Sequence, residues 1–397
     1  MMAEIGLNIL ATGLDWPSDK PGGLNIYYRS ICKTLALRHC IEALVCCNEP
    51  PEQEPETNLT LSNISNPLMP LLRRQKEFKK YAARVINERN IDIIYSHFAP
   101  YGLGAARIAF GKNIPLIVGF HGPWAAEMKV EEAGLKGRIR SALARRMENN
   151  TYRLADRFIV LSRYFKRVLQ EDYGIAPDRI HIVPGAADTE RFRPTDDKKQ
   201  LRNKLGLPED GLIALSVRRL VNRMGLLQLV EAWTEVVRQH PDALLYIGGI
   251  GPLKEALETA IQRNGLEQNV YMLNYIPEEL LPSYYQAADL VIVPTQALEG
   301  FGLTTVEALA SGVPVFATPV GGNLEILTRF SPDFLSEGIT VNALAKGLNH
   351  VLKRREQWPS AQQCREYVME HYTWNQVLKA IEDIFMEVLE QKGRGKG

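Results

Sequence analysis

The residues with the clearest chemical promise lie in Leu290-Val-Ile-Val-Pro-Thr-Gln-Ala-Leu-Glu-Gly-Phe-Gly-Leu-Thr-Thr-Val-Glu-Ala-Leu-Ala-Ser-Gly-Val-Pro-Val315. The stretch reads as a strand, a glycine-containing loop, a helix and a second strand. Gly300 and Gly302 permit close backbone approach to a ligand. Free amides at the start of the following helix favour a phosphate. Glu299 sits on the loop and Glu307 inside the helix. Two carboxylates around a phosphate-ready turn suit hydroxyl-rich ligands such as a sugar and a ribose. Glu307 also has a plainer reading, because Thr304-Thr-Val-Glu307 matches a capping box that only closes the helix start. Glu299 has no such local explanation.

Other chemistries find less support. Gly300-Phe-Gly-Leu-Thr-Thr305 half-matches a dinucleotide fingerprint, but its third glycine is Thr305 and no carboxylate follows the next strand. There is no HExxH, no zinc spacing and no G-x-x-x-x-G-K-[ST] loop. No metal site and no bound cofactor are therefore expected. The five cysteines are scattered without a CxxC pair, which suits a reducing compartment. Glu4 and the lack of a basic n-region speak against a signal peptide, and no apolar run is long enough to span a bilayer. The expected location is cytoplasmic.

The elements that must position these residues form two series. Strand candidates run Ile5–Leu10, Ala43–Cys47, Ile91–Ser96, Pro115–Phe120, Arg157–Leu161 and Ile180–Val183, then Leu212–Val217, Ala243–Ile247, Val270–Asn274, Leu290–Pro294 and Val313–Ala317. They are rich in Ile, Val and Leu on both faces, with amphipathic helical stretches such as Ile26–Arg38, Gly225–Gln239 and Leu253–Arg263 between them. That alternation predicts an α/β protein with two doubly wound parallel sheets. The length of 397 residues allows two or three domains. A polar, proline-containing stretch after Arg191 places the boundary near residue 195. The N-terminal domain is thus 1–194, the C-terminal one 195–371, and a final helix within 372–397 packs back on the first.

The net charge of +1 argues against a dedicated nucleic-acid binder. Split at that boundary, it conceals an asymmetry. Residues 1–194 carry 27 Lys and Arg against 21 Asp and Glu, and the remainder carries 20 against 25. Leu71–Lys80 holds five basic residues and one acid, and Lys136–Arg146 holds five and none. In the latter, Leu135, Ile139, Leu143 and Met147 recur every four residues beside Arg side chains. A helix of that pattern either lies on an anionic membrane or turns its apolar stripe to the core.

Glu299 and Glu307 in this context resemble the E-x7-E signature of retaining GT-B glycosyltransferases of family four (glycosyl transferases group 1). Pro21-Gly-Gly-Leu24 resembles that family's N-terminal glycine loop, and Ile182–Phe192 its inter-domain segment. Val217-Arg-Arg-Leu-Val-Asn-Arg-Met-Gly225 resembles its basic diphosphate loop. Ile247–Leu253, Tyr284–Asp289 and Gly321–Glu325 fit as well, so the resemblance covers nearly the whole chain.

The resemblance implies two Rossmann-like domains facing a central cleft and metal-independent transfer of a hexose from a nucleoside diphosphate sugar to a hydroxyl acceptor. It implies that Glu299 holds donor hexose hydroxyls, that Glu307 holds the ribose, and that amides near Gly300, Phe301, Gly302, Leu303 and Thr304 face sugar and diphosphate. It implies as well that Ile276 offers main-chain contacts to the base and that Gly22 and Gly23 close over the diphosphate. The resemblance places His121, in Phe120-His-Gly-Pro-Trp124, beside the donor sugar, and His97, at the end of strand Ile91–Ser96, is a second candidate. The basic loop departs from the pattern G-R-L-x-x-x-K-G. Arg219 matches the Arg, Arg218 replaces the Gly and joins the donor-binding residues, and Met224 replaces the Lys. A leaving diphosphate needs positive charge there, and Arg223 is the expected substitute. Asn274 also replaces a common glycine.

The resemblance implies a nucleotide sugar as partner, with UDP slightly favoured over GDP, and a hydroxyl acceptor; the membrane reading of the basic helix would make that acceptor a lipid or lipid-linked glycan, with peripheral contact at an anionic inner membrane face. Two alternatives stand beside transfer. One is a nucleotide-sugar epimerase or phosphorylase on the same scaffold, and the other is a non-catalytic nucleotide-sugar-binding subunit.

Overall fold

The computed structural model describes residues 6–16, 22–49, 57–131 and 134–393. Ile5, Pro21 and the last four residues, which the sequence assigns to a strand, the glycine loop and the C-terminal helix region, lie outside that set. The chain divides into two compact units, Met1–Gly185 with Trp374–Gly397, and Ala186–Thr373.

Among the described residues of the first unit, seven strands form one parallel sheet. They are β1 (Asn8–Thr12), β2 (Cys40–Cys46), β3 (Leu59–Ser65), β4 (Ile93–Ser96), β5 (Leu116–Phe120), β6 (Arg157–Val160) and β7 (Ile180–Ile182), in the order β3-β2-β1-β4-β5-β6-β7. The second unit holds β8 (Ile213–Val217), β9 (Leu244–Gly248), β10 (Val270–Asn274), β11 (Leu290–Val293) and β12 (Val315–Ala317), again all parallel, in the order β10-β9-β8-β11-β12. Both are doubly wound α/β sheets, as the sequence predicts. Strand order reverses between β1 and β4 and between β8 and β11, and ligands of such sheets bind beyond the strand ends at the reversal.

Eleven of these strands coincide with sequence candidates to within a few residues. The twelfth, β3, has no counterpart there. Its sequence Leu-Thr-Leu-Ser-Asn-Ile-Ser is polar and mostly half-buried, because it is an edge strand paired only with β2.

The unit boundary falls at Gly185/Ala186 rather than near residue 195. Residues 187–193, between that division and the polar stretch, are held by hydrogen bonds within the second unit. Ala187 N donates to Tyr372 O (3.1 Å), Arg365 reaches Phe192 O and Thr189 O (both 3.1 Å), and Gln286 Nε2 donates to Arg193 O (2.6 Å). The chain returns to the first unit at Trp374 rather than 372. There the helix Trp374–Gln391 buries Phe385 against Tyr95 and pairs Glu387 with Arg157 (3.1 Å).

The basic helix Leu135–Tyr152 resolves one alternative. Its buried face is Gly137, Ala144, Glu148, Thr151 and Tyr152. Leu135, Ile139 and Leu143 are 74%, 55% and 53% exposed, so the apolar stripe does not face the core. Lys136, Arg138, Arg140 and Arg146 are exposed beside it, whereas the Arg145 guanidinium lies over the Tyr173 ring at 3.4 Å. The second basic helix, Leu71–Glu88, touches this one through Gln75 and Met147 (3.8 Å) and carries exposed Leu72, with exposed Leu68 in the turn before it.

Candidate active site

The loops that follow β8 and β11 flank the strand reversal of the second unit. Their residues meet because the two strands are neighbours, tied also by Ser216 Oγ donating to Ile292 O (2.8 Å). Arg218 is the first residue after β8. Its guanidinium donates to Thr295 Oγ1 (2.8 Å), to Met224 Sδ (3.0 Å), to Thr304 Oγ1 (3.4 Å) and to Glu299 Oε2. Thr295 in turn donates to Glu299 Oε2 (2.8 Å), so both bonds fall on one oxygen and Oε1 takes neither. The Arg218 and Glu299 side chains are only 7% and 12% exposed, and Arg218 Nε is buried without a hydrogen-bond partner. Ion pairs so desolvated interact strongly and tolerate loss of one partner badly.

Beside this pair begins the helix Leu303–Ala310. Gly302 precedes it at φ 103°, and a Cβ there would approach Asn323 Oδ1 to 2.5 Å, so glycine is required twice over. The first amide the helical ladder uses is that of Val306, to Gly302 O (3.1 Å). The amides of Leu303 and Thr304 precede it and point out of the helix start, the geometry that receives an anion. Phe301 is buried against Tyr372, and its carbonyl lies where a Cβ on Gly322 would stand (1.9 Å). The glycine turn at 321–322 thereby fixes the loop carrying Glu299, Gly300 and Phe301, with Gly322 N donating to Glu299 O (3.0 Å).

The remaining basic residues separate. Arg219 is exposed. Arg223 is buried, and its Nη1 reaches Leu298 O at 3.4 Å while its own carbonyl accepts from Gln296 N (2.8 Å). It thus braces the Glu299 loop, including Leu298 at the unusual φ of 59°. The Arg218 guanidinium reaches Met224, the position where the sequence pattern lacks its lysine. Asn274 adopts φ 57°, a left-handed conformation that asparagine tolerates better than most residues, which explains how it replaces a glycine. Buried Ile276 packs its Cδ1 over Gly248.

Glu307 does not cap its helix. The helix begins at Leu303 with Gly302 as its N-cap and no side-chain cap, so Thr304 and Glu307 lie inside it and form no capping box. Glu307 is buried, and Tyr285 Oη donates to its Oε2 (3.3 Å). Burial raises its carboxyl to about 8, offset only partly by the Arg191 charge and the Tyr285 hydroxyl. At neutral pH it is therefore mostly protonated and can both donate to and accept from a hydroxyl. The unfolded chain ionises from about 4.5 upward while the folded protein keeps the proton up to about 8. The stability this group supplies is complete below 4.5 and is lost as pH rises through that window. Glu307→Gln is expected to raise Tm relative to the native protein, little at pH 5 and progressively more towards pH 8. A pH-independent difference in thermal unfolding would contradict the buried acid.

In the first unit, the residue after β4 is His97 and the residue after β5 is His121; these strands are adjacent. The two imidazoles are hydrogen-bonded, His97 Nδ1 to His121 Nε2, at 2.9 Å. Tyr27 packs on His121 (centroids 4.8 Å) and on Trp374 (5.6 Å). Burial pushes the His121 imidazole down to about 3. Gly22 and Gly23 open the helix Gly23–Ala36, and a Cβ on either would meet nothing within 4 Å.

The second unit thus unites Arg218, Glu299 and Thr304 with Thr295, to which sequence reading gave no role, and, behind them beside Glu307, with Tyr285 of the Tyr284–Asp289 motif. Thr295 carried one weak signal, a hydroxyl just past the end of a buried strand. Among the described residues, no group of three or more His, Cys, Asp or Glu could hold a metal ion, and no helix is long and apolar enough to cross a membrane.

Residues 197–371 match the family described as glycosyl transferases group 1, and residues 21–191 match Glycosyltransferase Family 4. A D-inositol 3-phosphate glycosyltransferase of Acidothermus cellulolyticus is 31% identical over 326 residues, 76% of this chain and 71% of that protein. Among solved structures, a sucrose-phosphate synthase from Thermosynechococcus elongatus superposes with a TM-score of 0.82 at 22% identity, covering 97% of this chain and all of that one. Anabaena HepE, solved in complex with UDP-glucose, superposes with a TM-score of 0.76 at 20% identity, covering 96% and 100%.

Proposed function

Since the chain belongs to the glycosyl transferases group 1 family, with an N-terminal part of the Glycosyltransferase Family 4 type, we propose that it moves a hexose from a nucleoside diphosphate sugar to a hydroxyl acceptor and retains the anomeric configuration. Its two parallel-sheet units and its structural neighbours make the fold GT-B. The observation that carries the proposal is the buried Arg218–Glu299–Thr295 cluster beside an anion-receiving helix start, at the strand reversal of the second unit. In this reading Glu299 Oε1 takes hydroxyls of the donor hexose. The amides of Leu303 and Thr304 and the Arg218 guanidinium take the diphosphate. Glu307 takes the ribose, and His121 is the residue proposed to orient a sugar hydroxyl.

The bond from the anomeric carbon to the phosphate oxygen breaks, and one to the acceptor oxygen forms on the same face. The acceptor proton passes to the departing phosphate, so no protein nucleophile is needed. Charge developing on that phosphate is met by a guanidinium and helix amides held in place before the reaction, which is why metal-independent transfer is proposed. A UDP-sugar is favoured as donor, supported by the likeness to HepE, solved in complex with UDP-glucose. Calorimetric titration with UDP and GDP tests this choice. UDP is expected to bind at least tenfold more tightly, and a reversed preference would overturn it. Product analysis with UDP-glucose then separates transfer from epimerised donor, phosphate-dependent cleavage or binding without turnover.

The acceptor is proposed to lie at an anionic lipid surface. The outward Leu135, Ile139 and Leu143 flanked by Lys136, Arg138 and Arg146 support that choice through charge complementarity and apolar insertion. The native protein is expected to float with vesicles containing phosphatidylglycerol and not with pure phosphatidylcholine. The double substitution Ile139→Asp and Leu143→Asp is expected to abolish flotation without changing Tm, since both side chains are exposed. Equal flotation of the variant would remove the membrane reading while leaving donor chemistry intact.

A further inference from the structure

His97 is only 3% exposed and is enclosed by Tyr95, Tyr28 and Tyr27, at centroid distances of 4.1, 5.0 and 6.2 Å. Its ring lies within 17° of parallel to that of His121. The room for the pair comes from Gly119 on β5. A Cβ there would stand 3.0 Å from His97 Nδ1 and 3.3 Å from His121 Nε2. Burial pushes His97 well below its ordinary value, with the neighbouring His121 adding to the effect, and pushes His121 down as well. Both rings are therefore neutral at physiological pH, and a single proton lies between them.

Which ring owns that proton follows from the other nitrogen of His97. His97 Nε2 is buried and has no hydrogen-bond partner. If His121 donated, neutral His97 would have to carry its proton on Nε2 and bury an N–H with nothing to receive it. If His97 donates from Nδ1, its N–H is used and only a lone pair is left in the aromatic cage. Leaving a buried donor unpaired is the more severe penalty.

We propose that His97 is a positioning residue for His121. It donates Nδ1–H to His121 Nε2 and so holds the His121 proton on Nδ1, where the half-buried imidazole offers it as a donor. The consequence for turnover rests on His121 meeting the sugar, as proposed above; the tautomer itself does not.

Long-range proton–nitrogen correlation spectra of histidine-labelled full-length protein read the tautomer directly. His121, assigned through His121→Ala, is expected as the Nδ1–H form in the native protein and in His97→Asn, whose amide can donate from nearly the same place. It is expected to lose that preference in His97→Phe, which keeps the ring volume and removes the donor. A native His121 protonated on Nε2, or a His97→Phe spectrum unchanged at His121, would overturn the proposal. With UDP-glucose as donor probe, His97→Phe is expected to lower kcat by about tenfold or more with little change in KM, and His97→Asn to restore most of it. Phe equal to Asn in kcat would mean a space-filling role and would overturn positioning. Full activity of His121→Ala would instead overturn the placement of His121 beside the sugar, with the resonances still deciding the tautomer.

Discussion

Replacing Glu299 by glutamine is expected to lower transfer by about a thousandfold or more while the protein stays folded, because a charge aimed at the reacting sugar is lost and the shape is kept. Glutamine still accepts through one oxygen from Arg218 and Thr295, the two groups that hold Glu299 in place. Alanine is the less clean test. Either variant takes the counter-ion from the Arg218 guanidinium, 7% exposed, but alanine also removes the oxygen that accepts from it, and breaking a buried pair outright in that way costs about 3–5 kcal/mol. Glu299→Ala should therefore lose both turnover and thermal stability, and Glu299→Gln chiefly turnover. Rates at saturating donor, set beside thermal unfolding of the same preparations, separate the two effects. A glutamine variant within tenfold of native turnover would remove Glu299 from the chemistry.

Much of this molecule can be read from its sequence, and the exceptions share a physical cause. Buried parallel strands must be apolar on both faces, so eleven of the strands stand out as Ile, Val and Leu runs. The edge strand β3 is relieved of that demand on one side and reads as a loop. The compact units divide ahead of the polar stretch near residue 195 for a similar reason. Polar residues after Arg191 suggest a free linker, but their polar groups are spent on Arg365, Gln286 and Glu278 inside the second unit. Composition reports which side chains are polar and not where their hydrogen bonds go.

The candidate site shows the same limit at finer scale. Glycine loops, Glu299 and Glu307 are legible because spacing alone places them on one strand–loop–helix unit. The contacts that cross between loops are not. Thr295 joins Arg218 to Glu299 only because β8 and β11 are neighbours, and His97 meets His121 only because β4 and β5 are. A four-residue apolar repeat in Leu135–Tyr152 likewise fixes a stripe but not its direction. The direction is set by Ala144, Glu148 and Tyr152, which pack inward on the other side of the helix.

The second large effect is expected at Arg218. Positive charge is required beside a departing diphosphate, and removing one such preorganised donor costs about a hundred- to a thousandfold in rate. Arg218→Met, which keeps an unbranched apolar stem, should lose kcat/KM by that factor. Arg223→Met should lose less, since Arg223 acts on the Leu298 carbonyl behind the loop. The Met224 sulfur lies 3.0 Å from the Arg218 guanidinium, so a lysine at 224 would bring its ammonium to the same region. Arg218→Gly should therefore be inactive by itself and should regain activity to within about tenfold of native when combined with Met224→Lys, two changes at interacting sites whose effects are far from additive. Steady-state rates of the four proteins in that cycle decide the point. If Met224→Lys restores nothing, or if Arg219→Met is as damaging as Arg218→Met, the cation that meets the leaving phosphate is not Arg218.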